Sequence, residues 1–160
     1  MKRVLLLSSL ALTGIFASCG DKNEDAAPKT TSELLMAKSW VITAYTEKIG
    51  SANATNEYDS APACSKDNIY KFEANSKFTT DEGASKCFSA QTFNGNWALT
   101  NNDKTLTAIA IDQSSQSSSV SVEYSFTGTI EEISTTKFVL SESETSNGVT
   151  TVNRMTFSAK

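Results

Sequence analysis

The residues of this chain best suited to chemistry are three cysteines, Cys19, Cys64 and Cys87, in a sequence with no histidine. Without an imidazole, a thiol nucleophile lacks its commonest activating base. Cysteines alone, this few, also fall short of a four-ligand zinc site. Serine is abundant, yet no G-x-S-x-G elbow presents one, and no base stands ready to activate it. Acidic residues at 131, 132, 142 and 144 resemble a carboxylate cluster only on paper. Glu131 and Glu132 are neighbours whose side chains diverge along a strand, and Glu142 and Glu144 share a face at a polar strand end. All four read as solvated charges. Asp81-Glu82 followed by Gly83 lacks the ligand spacing of a calcium loop. These residues predict a protein that is not an enzyme and uses neither cofactor nor metal.

The amino terminus gives Cys19 a different role. Lys2 and Arg3 precede the apolar run VLLLSSLALTGIF, and small residues follow. A basic start, a short apolar core and small residues at the break describe a secretory signal. The run is shorter than the roughly 20 residues a membrane-spanning helix needs. Phe16-Ala17-Ser18-Cys19 resembles the bacterial lipobox, with Phe16 in place of the usual leucine. That resemblance implies a diacylglycerol on the Cys19 thiol and cleavage before it. Residues 1–18 are then the signal peptide. Removing them leaves 142 of the 160 residues and moves the net charge from −4 to −6, because Lys2 and Arg3 are lost. An acidic chain is poorly suited to nucleic acid. Several acyl chains anchor stably where one alone binds reversibly.

Residues 19–30 carry almost no large apolar side chain and read as a tether. They also resemble the acidic tract of surface-exported lipoproteins of the Bacteroidetes phylum. The outer membrane, at its periplasmic face or at the cell surface, is therefore the expected location. With Cys19 lipidated in an exported protein, Cys64 and Cys87 most simply form one disulfide.

Residues 31–160 are expected to fold as one all-β domain. Thr30 and Glu33 have capping-box spacing, predicting a short helix over 31–38. SWVITAYTE follows as a strand with Trp40, Ile42 and Ala44 on one face. Residues 48–65 read as a long loop. NIYKFE, SKFTT, TFNGNWALT, KTLTAIAID, SSVSVEYSFTGTI, KFVLSES and VTTVNRMTFSAK supply seven more strands. Asn147-Gly148 is a hairpin signal. Eight sequential strands joined mostly by short turns predict an antiparallel up-and-down meander that closes on itself. Gly95 and Gly128 fall on inward faces, where the sheet must bend or a large ring needs room.

The segments LLMAKSWVITAY, CSKDNIYKFEANSKFTTDEGASKC and GNWALTNNDKTLTA resemble, in order, the lipocalin-like domain of Bacteroidetes lipoproteins. Trp40, Tyr70, Phe72, the Gly95–Leu99 stretch and Leu106-Thr107 carry the likeness. It spans roughly residues 32–157 and departs at Lys38 and Ser76, where glycine is usual. It implies an eight-stranded lipocalin-like barrel with a short N-terminal helix, whose cup holds one small ligand or is filled by its own side chains. Trp40, Tyr70, Phe72, Phe93, Trp97, Tyr124 and Phe126 are the candidates for lining that cup or for packing it. Asp59-Ser60-Ala61 resembles the acceptor of general O-glycosylation in Bacteroidetes, which makes Ser60 a candidate for modification. The expected protein is a monomeric, membrane-anchored binding module for a small apolar molecule or a glycan. A structural or protein-interaction lipoprotein with a filled barrel is the alternative.

Overall fold

The computed structural model describes residues 29–88, 92–111 and 123–160. Cys19, the signal and most of the tether lie outside the described residues, as does the Ser118–Val122 part of the sixth expected strand. Eleven elements follow one another: α1 (Thr31–Met36), β1 (Ser39–Ile49), β2 (Thr55–Asn56), α2 (Ala63–Lys66), β3 (Ile69–Glu73), β4 (Lys77–Asp81), β5 (Thr92–Thr100), β6 (Thr105–Ile111), β7 (Glu123–Ile133), β8 (Lys137–Ser146) and β9 (Val149–Ala159). Strands β3 to β9 pair in sequence, all antiparallel. β1 closes the ring, pairing with β9 from Trp40↔Ala159 to Ile49↔Thr151 and with β3 at Ser39↔Lys71 and Trp40↔Tyr70. The result is the closed eight-stranded up-and-down barrel predicted from the sequence, with β2 as a two-residue addition to β1.

Alternation along the strands builds the core. Phe93 and Trp97 on β5, Leu106, Ala108 and Ala110 on β6, Phe126 on β7 and Phe138 and Leu140 on β8 are buried, while their neighbours face outward. The rings interlock. Phe138 stacks on Phe157 at 4.1 Å, Trp40 meets Phe138 edge-on at 4.9 Å, and Phe72 meets Trp97 at 5.6 Å. Both indoles also satisfy their N–H groups. Trp40 Nε1 donates to the Leu35 carbonyl at 2.8 Å, and Trp97 Nε1 donates to that of Glu73 at 2.9 Å. A buried indole without such a partner would cost about 1–3 kcal/mol.

Strand direction separates the two ends. At one end lie α1 and the short connections β3–β4, β5–β6 and β7–β8. The connections β1–β3, β4–β5 and β8–β9 lie at the other. Helix α1 sits at the first end, with Leu35 fully buried. The capping box is present: Thr30 Oγ1 accepts from the Glu33 N–H at 3.2 Å, and Glu33 Oε2 accepts from the Thr30 N–H at 2.7 Å. The helix stops at Met36, two residues short of the expected 38, and the chain turns directly into β1.

Gly95 and Gly128 are inward-facing, and the obstacle at each is backbone. A Cβ on Gly95 would collide with the Ile109 carbonyl, and one on Gly128 would lie 2.6 Å from the Ser141 oxygen. Adjacent strands approach here more closely than any side chain allows, which permits tight coiling. Asn147 and Gly148 both have positive φ and join β8 to β9 in a two-residue hairpin.

Candidate functional site

The end of the barrel opposite α1 carries a cleft of about 300 Å³. Its position follows from how β1 meets its neighbours. β1 pairs along most of its length with β9, but with β3 at two residues only. Beyond Trp40 the β1–β3 seam parts, and the β1–β3 connection lies across it. The Glu57 and Tyr58 N–H groups both donate to the Tyr45 carbonyl, at 2.9 and 3.3 Å. The expected loop over 48–65 is therefore a folded cover containing β2 and α2. It contributes Tyr58, Ala61, Ser65 and Asn68 to the cleft wall.

A bulge in β1 supplies the opposite wall. The β1–β9 register shifts between Ile42 and Ala44, so the inward phase passes from Trp40 and Ile42 to Tyr45. The strict alternation expected from the sequence, with Ala44 following Ile42, fails at this point. Ile42 and Tyr45 line the cleft, with Met155 and Asn153 of β9, Glu142 of β8, Tyr70 of β3 and Tyr124 of β7. The Tyr45 hydroxyl donates to Asn153 Oδ1 at 3.3 Å. Burial, and then the negative charges of Glu47, Glu57 and Glu142, push that hydroxyl above its usual pKa.

Below the cleft lies a buried polar group. Asn68 is 1% exposed; its Nδ2 reaches the Tyr70 hydroxyl at 3.5 Å, and its Oδ1 has no partner among the described residues. Glu82 is fully buried and accepts from the Tyr124 hydroxyl at 3.0 Å and from the Phe88 N–H at 3.1 Å. Desolvation raises the Tyr70 pKa to about 12, and desolvation together with the Glu82 carboxylate raises that of Tyr124 further. These hydroxyls stay protonated at any ordinary pH and serve as hydrogen-bonding groups.

The disulfide joins the rim. Cys64 in α2 is bonded to Cys87 in the β4–β5 connection, with their Cα atoms 5.3 Å apart. Asp67 adds a second tie, since its Oδ2 accepts from the Ala84 and Ser85 N–H groups at 2.9 Å each. The cover of the cleft is thus fastened at two points to the β4–β5 connection.

Of the seven aromatic candidates, Tyr70 and Tyr124 line the cleft. Trp40, Phe72, Phe93, Trp97 and Phe126 belong to the packed core. Ser60 is exposed on the cover, next to the lining residue Ala61, and its hydroxyl donates to the Glu57 carbonyl at 2.9 Å. Glu131 pairs with Arg154 at 2.9 Å and Glu132 with Lys137 at 2.8 Å, both at the surface. Among the described residues, no three acidic or thiol side chains gather as a metal site would require. Sequence reasoning did not single out Tyr45, Tyr58, Asn68 or the burial of Glu82. A tyrosine in an otherwise polar segment was the available signal for Tyr58, because a ring with one wet end suits the lip of a pocket. No family model matches this chain, and no curated protein matches it significantly.

Proposed function

We propose that this chain is a lipid-anchored outer-membrane lipoprotein whose lipocalin-like barrel is a binding module for a small apolar molecule. The observation that carries the binding role is the cleft of about 300 Å³, walled by Ile42, Met155 and four tyrosines. That volume sits at the lower limit of small-molecule pockets, with the expected mix of apolar walls and few polar groups. The lipobox resemblance at Cys19 supports the anchor. Helix α1, where the tether would join, lies at the end of the barrel opposite the cleft. An anchored protein would thus hold its opening away from the lipid.

Mass spectrometry of organic extracts from natively purified protein tests this reading. One molecular species should recur in stoichiometric amount and disappear when Met155→Trp fills the cleft. Extracts that are repeatedly blank, from protein that also binds no added apolar probe, would remove the binding role. The tightly stacked Phe138 and Phe157 and the other core rings favour a second reading, a filled barrel that presents its loops to an envelope partner.

A further inference from the structure

We infer that the cleft selects a small apolar amine in its protonated form, an aromatic or branched hydrocarbon body with an ammonium head, and rejects the matching carboxylate. The inference rests on the binding role proposed above and names the ligand's chemistry. Three independent observations carry it.

The first is the charge of the wall. Among the described residues, Glu142 is the one charged side chain that lines the cleft, and it makes no ion pair there. Glu47 and Glu57 also stand close enough to act on Tyr45 together with Glu142. Among the described residues, no lysine or arginine lines the cleft. Lys66 of the cover stands beside the wall, 5.3 Å from the centre of the Tyr58 ring, where its ammonium donates to the Asp59 carbonyl at 3.0 Å. A fatty-acid carboxylate entering here would meet like charge and no partner, an arrangement that interfaces use to exclude wrong ligands.

The second is Asn68. Asn68 lines the cleft and is 1% exposed, and its side-chain carbonyl, unpartnered among the described residues, is costly to leave so. An N–H donor from a ligand satisfies it. An ammonium offers three such donors and accepts none.

The third is the tyrosine lining. Tyr45, Tyr58, Tyr70 and Tyr124 all line the cleft. Aromatic faces attract a cation by about 0.5–2 kcal/mol and offer nothing comparable to an anion.

A matched series tests the inference on the full chain. Phenethylamine, propylbenzene and hydrocinnamate share one body and differ in head charge: positive, neutral and negative. Titrations followed by NMR at neutral pH should rank the amine above the hydrocarbon, and the amine roughly tenfold or more above the acid. Glu142→Gln should weaken the amine about threefold and leave propylbenzene unchanged, as expected for a partly solvated charge. Asn68→Leu should weaken the amine roughly tenfold. If that variant fails to fold, Glu142→Gln decides alone. Equal binding of amine and hydrocarbon, or tighter binding of the acid, overturns the amine preference but leaves the binding role standing. Absence of binding by all three overturns both.

Discussion

The tyrosines that close the cleft show how one atom sets the behaviour of a residue. Tyr70 is buried among Phe78, Phe126 and Phe157, and its hydroxyl is reached by Asn68 Nδ2. Its pKa rises to about 12 in the fold from about 10 in the open chain. A phenol whose folded pKa is raised supports the fold fully below pH 10. That contribution fades between pH 10 and 12, as the unfolded chain releases a proton the folded one keeps. Thermal stability should therefore fall steeply across this window, and Tyr70→Phe should flatten the fall. A melting series from pH 9 to 12 checks this, and identical slopes in both proteins would refute it. Asn68 and Glu82 mark the limit of what sequence alone conveys at this scale. Both are polar and read as surface. Their burial depends on Tyr70, Tyr124 and the Phe88 N–H, and the Tyr124 and Phe88 partners belong to other segments of the chain.

At the scale of elements, strands were legible wherever one face is wet. On β5 the alternation of Phe93, Gly95, Trp97 and Leu99 with polar or small residues gives phase and length directly. β1 lacked that contrast. Val41, Ile42, Ala44 and Tyr45 are apolar in both phases, so a one-residue bulge leaves no mark on the pattern. The cover was illegible for another reason. Its order comes from the Tyr45 carbonyl, the disulfide and Asp67 rather than from any periodicity of its own. Two cysteines 23 residues apart, once joined, stabilise by about 3 kcal/mol through loop entropy. The double variant Cys64→Ala/Cys87→Ala should lower the melting temperature by roughly 10 °C, on the scaling for domains of this size. Calorimetry measures that shift. The same variant should weaken binding of apolar probes, because the cover loses one of its attachments to the β4–β5 connection. An unchanged melting temperature would show that the bridge adds nothing to the fold.

The whole molecule divides into a packed end and an open end, and chain order decides which is which. The closed barrel was predictable because eight strands with mostly short connections have few other ways to remove their edges. The cleft was not, since it arises where β3 is too short to follow β1. Attachment belongs to this scale too. Under the lipoprotein reading, Cys19→Ala should leave the barrel's circular dichroism unaltered and move the protein from the membrane to the soluble fraction. Persistent membrane partitioning of that variant would rule out Cys19 as the anchor.

Closure of β1 against β9 also sets a timetable. Trp40 waits for Ala159, and the Ser39 carbonyl waits for the Lys160 N–H, which reaches it at 2.8 Å. Whether the chain emerges from a ribosome or from a membrane channel, its first strand is out long before its last. Until Val149–Ala159 arrives, one edge of β1 is an open template for pairing with any other extended chain. Contacts this distant in sequence make slow folders. The period of greatest risk of aggregation for this protein is therefore its own synthesis, and the eleven residues of β9 end that risk.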